Sequence, residues 1–173
     1  MDNLFDFWKA KVPKYNADFS EIFNNLAKKA GGIESGDKRS IIGKSFETFY
    51  ELYIYAFFLG VYSDERQPIP DSAKKIDFGY QIFKWGSKNN NSKRDDFVVI
   101  QKYIFSALIA DSEIDFISLD KGEIDLEDVA KDLIKIMEEY TNGGLTLISD
   151  KLKDNPLSFT SSTSYLDIIK KFK

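Results

Sequence analysis

Apolar side chains along this chain recur mostly at the three- and four-residue spacing of an α-helix. Between 18 and 30, Phe19, Ile22, Phe23, Leu26 and Ala30 share a face. Asp18 and Glu21 sit in the first turn of that segment and Lys28 and Lys29 in the last, each favourable to the helix dipole, and Gly31-Gly32 supplies a left-handed cap. Leu4, Phe5, Phe7 and Trp8 suggest a short helix upstream, ended near Pro13. A long helix is expected over 41–62, where Phe46, Phe49, Tyr50, Tyr53, Ile54, Phe57, Phe58 and Val61 cover more than one face. A second buried helix is expected over 97–110, capped by Asp95-Asp96, with only Gln101, Lys102 and Ser106 polar. Leu126, Val129, Leu133, Ile136, Met137 and Tyr140 mark an amphipathic helix over 126–140. Asp125 is its expected N-cap, and Asn142-Gly143-Gly144 its expected end. A shorter helix over 145–152 and a last one from Ser164, with capping-box spacing to Asp167, complete the series.

Two stretches break the helical period. Residues 64–77, with Pro68 and Pro70, read as irregular. Phe78, Tyr80 and Ile82 alternate with polar neighbours, so 76–85 fits a short hairpin or extended segment as well as a helix. The polar run 86–94 reads as a surface-loop excursion. The expectation is an all-α (mainly) single helical domain over 1–173, an orthogonal bundle of about five to seven helices around two buried central ones.

Composition narrows the chemistry. With 43% hydrophobic residues, fifteen Phe and nine Tyr, the chain can build a core. It has no Cys and no His, which removes disulfides, thiolate nucleophiles, imidazole metal sites and the usual general base near neutral pH. The longest apolar run, Leu52 to Tyr62, is too short for a bilayer, and the first residues lack a signal-peptide pattern. No membrane association and a cytoplasmic location are therefore expected, and no cofactor.

Three kinds of site were tested against spacing. Asp111, Glu113 and Asp115 supply the first ligands of a calcium loop, but Phe116 stands where such a loop needs Gly and Gly122 where it needs an acid. Asp111 and Asp115 could share a helix face and bridge a divalent ion for hydrolysis, yet no third ligand is placed. Pro70-Asp71 with Gln81-Ile82-Phe83-Lys84 misses a nuclease core by one residue, which puts Gln and Lys on opposite strand faces. No phosphate-cradling glycine loop occurs.

Charge is segregated more clearly than any motif. From 111 to 140 there are eleven acids and three lysines, although the whole chain is only −4. Asp120, Glu123, Glu127 and Asp128 are the candidate docking face for a protein with a basic surface. From 74 to 102, seven bases oppose three acids, and Tyr80, Lys84, Trp85, Lys88, Lys93 and Arg94 form a candidate nucleic-acid surface. The alternative is that Phe83 and Trp85 anchor the core and the lysines solvate a loop.

Phe57-Phe58-Leu59-Gly60-Val61-Tyr62 followed by Arg66-Gln67-Pro68-Ile69, and then Met137-Glu138-Glu139-Tyr140-Thr141-Asn142-Gly143-Gly144-Leu145, form a pattern. It resembles small proteins encoded beside bacterial DNA phosphorothioation (Dnd) and related anti-phage defence genes. The resemblance implies an accessory role in a DNA-modification or restriction system and carries over no catalytic residue. Together these points favour a non-enzymatic accessory or adaptor protein that docks on another protein. A nucleic-acid-binding module and a carboxylate-metal hydrolase are the alternatives, and the oligomeric state is open.

Overall fold

The computed structural model describes residues 3–27, 46–86, 97–159 and 163–170. In chain order these form α1 (Leu4–Lys9), β1 (Lys14–Asn16), a 3-10 turn (Ala17–Phe19), α2 (Ser20–Leu26), α3 (Phe49–Tyr62) and β2 (Lys75–Asp77). A second 3-10 turn (Ile82–Lys84), α4 (Val98–Asp111), α5 (Phe116–Asp120), α6 (Leu126–Asp154) and α7 (Ser164–Lys170) follow. The architecture is mainly α, with β1 and β2 paired in a two-stranded sheet. Among the described residues no helix is long and apolar enough to cross a membrane. Two compact units are built: Met1–Lys14 with Ile76–Glu138, and Tyr15–Lys75 with Glu139–Lys173.

In the first unit, Asn3 caps α1 by accepting a hydrogen bond from the Asp6 amide at 2.9 Å, and Leu4 and Trp8, one turn apart, are buried. Trp8 packs on Phe105 at 5.5 Å between ring centroids, and Phe5 meets Phe105 edge-on at 5.2 Å. α4 departs from expectation. It buries only Gln101, Ile104 and Leu108, while Val98, Val99 and Tyr103 are exposed. The helix expected to be buried thus buries one face only. Gln101 is buried because its Nε2 donates to the carbonyls of Ile82 (3.0 Å) and Trp85 (3.3 Å), closing the second 3-10 turn onto the helix. The expected caps Asp95 and Asp96 lie outside the described residues. The segment 76–85 is extended only to Asp77 before that turn. Of the expected loop 86–94, only Gly86 is described.

In the second unit, the helix expected over 18–30 is shorter. The Asn16 side chain caps a 3-10 turn, α2 begins at Ser20, and Ala27 is extended, bridging to Phe46. Its expected glycine cap lies outside the described residues. α3 starts at Phe49 instead of 41, because Thr48 and Glu51 form a reciprocal capping box; residues 41–45 are not described. Leu52, Tyr53, Ala56, Phe57 and Leu59 are almost fully buried on α3.

α6 corrects the sequence reading most clearly. It runs unbroken for 29 residues through Asn142-Gly143-Gly144, so the expected helices 126–140 and 145–152 are one element. Asp125 does cap it, accepting from the Glu127 amide at 2.7 Å. The two glycines do not end the helix, and neither has a positive φ. They serve close approach instead. A Cβ on Gly143 would overlap the Glu65 carbonyl oxygen, one on Gly144 the Ala56 carbonyl oxygen, and one on Gly60 of α3 the Tyr140 carbonyl oxygen. α3 and α6 thus meet backbone to backbone, a contact that only residues without side chains permit.

Candidate functional site

The acids singled out by spacing do not gather. Asp111 ends α4, Glu113 lies in the loop after it, and Asp115 caps α5. One Asp115 oxygen accepts from the amides of Ile117 (3.0 Å) and Ser118 (3.1 Å), the other from the Ser118 hydroxyl (2.8 Å). These bonds, led by the Ser118 amide, hold its carboxyl below the usual carboxylate range. Among the described residues no three acids come together in a way that could hold a metal ion.

The basic and aromatic set divides too. Tyr80 and Lys84 are exposed, the Lys84 ammonium lying 5.6 Å from the Phe83 ring centre. Trp85 is a correction: it is 1% exposed, donates its indole N–H to the Tyr80 carbonyl at 3.3 Å and packs against Phe78. No base can stack on that ring. Phe83 is the opposite case, exposed where a core anchor had been the alternative. Lys88, Lys93 and Arg94 lie outside the described residues.

The four acids of the candidate docking face also divide. Glu127 pairs with Lys11, and Asp128 with Lys131 at 2.8 Å, a bond that raises the Lys131 pKa. Asp120 and Glu123 are exposed and have no ion-pair partner among the described residues. Asp120 ends α5, beside an open groove of about 700 Å3. Leu4 and Phe5 of α1, Phe105 and Ile109 of α4, Phe116 and Leu119 of α5 and Leu126 of α6 wall it. Its polar lining is Asn3, already engaged as a helix cap, and Asp120. Phe116, at 51% exposed, stands at this wall, and its neighbour Ile117 is exposed at 69%.

Sequence reasoning missed this groove. The apolar spacing predicts no element over 116–120, whereas these residues form a five-residue helix whose Phe116 and Leu119 become a wall. The available signal was Asp115 followed by Phe116-Ile117-Ser118-Leu119, a capping residue ahead of a short apolar cluster.

In the second unit, residues from the two stretches that carry the family resemblance meet. Arg66 Nε donates to Glu139 Oε2 at 2.7 Å, and its guanidinium lies 5.9 Å from the Tyr140 ring centre. The Gln67 amide donates to the Glu139 carbonyl (3.1 Å), Asn142 Nδ2 to the Gln67 carbonyl (3.2 Å) and Thr146 to Gln67 Oε1 (2.9 Å). Glu139 and Asn142 are each 6% exposed. These bonds satisfy a buried carboxylate and fasten the turn after α3 to α6, so their role is structural. Comparison with known protein families, with curated proteins and with solved structures finds no match for this chain.

Proposed function

We propose that this chain is an accessory protein that acts by docking another protein, with a basic surface, on its first unit, and that it serves within a bacterial DNA-modification or anti-phage defence system. The observation that carries the docking reading is the open apolar groove whose rim bears Asp120, with Glu123 close by in sequence and also unpaired among the described residues. An open concavity walled by apolar side chains is a place where partner side chains can seat. Unpaired acids beside them steer a basic partner and reject an acidic one. The defence setting rests on the resemblance of residues 57–69 and 137–145.

The experiment is quantitative capture from the native host with tagged wild-type protein, Phe116→Ser and Asp120→Lys. Both substituted side chains are exposed, so the fold is expected to survive both changes. One protein recovered near one-to-one with the wild type, and lost from both variants, is the expected outcome. Recovery of the same proteins by all three forms would overturn the reading.

A further inference from the structure

We infer that the segment seated in the groove is an amphipathic α-helix, presenting large apolar side chains along one stripe and Lys or Arg beside it. This rests on the docking reading above and names the partner's chemistry.

Three observations lead there. First, the groove offers almost no hydrogen bonds: its walls are Leu, Ile and Phe side chains, and its one ionisable lining group is Asp120. An extended peptide would bury backbone N–H and C=O groups with nothing to receive them, at a cost for each. A helix brings its backbone already satisfied, which is why grooves built between helices take helices. Second, the size suits side chains: about 700 Å3 accommodates several large apolar groups in a row, while the lack of converging polar groups leaves nothing to orient a small polar ligand. Third, the sign is fixed. Residues 111–128 contain eight acids and one lysine. Asp115 and Asp125 accept backbone N–H bonds, and Glu127 and Asp128 are paired with lysines within the unit. Asp120, in the groove lining, has no such engagement among the described residues and is placed for a basic side chain flanking the apolar stripe; Glu123, three residues on and exposed, is likewise unengaged among the described residues.

The test is a nuclear magnetic resonance titration of the full chain. The probe is a synthetic peptide of about 15 residues with Leu at i, i+3, i+4 and i+7 and Lys elsewhere. Three controls accompany it: the same composition scrambled, the same peptide with a central Pro that breaks the helix, and a version with Glu for Lys. The expected result is movement of the Phe105, Ile109, Phe116 and Leu119 amide signals, with binding about tenfold tighter than any control. Phe116→Ser and Asp120→Lys should each weaken it by about tenfold while leaving distant signals unchanged. Equal groove binding by the Pro or scrambled peptide would overturn the helix, and leave docking intact. Equal binding by the Glu version would overturn the basic character. Shifts of the groove signals on diluting the protein alone would make a second copy the occupant and also overturn the inference. Absence of any peptide response would do the same, whereas docking itself stands or falls on the host capture with the groove variants.

Discussion

Gln101 is the residue on which the first unit's interior polarity turns. Its amide is 2% exposed and donates to the Trp85 carbonyl and to the Ile82 carbonyl, which also accepts the Trp85 amide, so replacing it removes two buried side-chain bonds at once. Gln101→Leu is expected to destabilise the protein by roughly 2 kcal/mol, read as a lower urea midpoint at unchanged slope. Tyr55 gives a pH signature in the second unit. Its hydroxyl donates to the Tyr165 carbonyl at 2.8 Å, and burial, with Tyr165 adding to it, raises its pKa far above the ordinary tyrosine value. A folded pKa above the unfolded one means the contribution is complete below about pH 10 and is lost as pH rises through the folded value. Stability should therefore hold level up to about pH 9 and fall above about 10. The fall should be shallower in Tyr55→Phe but still present, because burial shifts Tyr15 in the same direction. Identical alkaline profiles for the two proteins would show that Tyr55 contributes nothing. Asp115 has the opposite sign. Its lowered pKa makes its capping contribution present above about pH 4 and lost as pH falls through the folded value. In Asp115→Ala, amide exchange within α5 should quicken at neutral pH and change less on acidification than in the wild type.

The helices show how far a one-dimensional pattern reaches. α1 was legible because burial there follows spacing, and the C-terminal end of α3 because its apolar run stops at Tyr62. α7 does begin at Ser164, but the Leu166 and Asp167 amides donate to the Thr163 carbonyl, so the chain enters it one residue before the expected cap. Thr48 and Glu51 were equally legible as a capping box, but the apolar residues upstream invited a longer helix. Gly143-Gly144 was misread for a physical reason: glycine pairs end helices through their tolerance of positive φ, and nothing local says that this pair is needed to admit another backbone. The partner carbonyls, at Ala56 and Glu65, are roughly 80 residues away in sequence. The groove was illegible on the same ground. Its charge is local to 111–128 and could be read, but its walls come from three separate stretches, around 5, 105 and 119. The glycine argument makes a sharp prediction. Gly143→Ala or Gly144→Ala should cost about 3 kcal/mol or more, since the obstacle is main chain that cannot rotate away. Gly122→Ala has open space around its Cβ and only an unfavourable φ of 74° to pay for, about 1 kcal/mol. Thermal melts of the three variants would order them; equal losses would mean the α3–α6 contact is no closer than ordinary packing.

At the scale of the molecule, charge and connectivity are both unevenly distributed. A net charge of −4 is the sum of a strongly acidic stretch, 111–140, and a basic remainder. Association through the groove should accordingly slow as salt is added, in the range where the screening length shrinks from about 30 Å to about 8 Å. Stopped-flow association rates with the basic peptide, taken at low and physiological ionic strength, are expected to drop with salt while dissociation rates change little. A salt-independent association rate would remove the steering role of Asp120 and Glu123. The connectivity is interleaved: the first unit needs Met1–Lys14 and Ile76–Glu138, and α6 continues from it into the second. Vectorial synthesis gives that arrangement a cost in time. Phe5 and Trp8 leave the ribosome before Phe105, on which they pack, a delay on the order of seconds at ordinary elongation rates. During that interval an aromatic cluster travels uncovered on the nascent chain, a natural landing place for a chaperone.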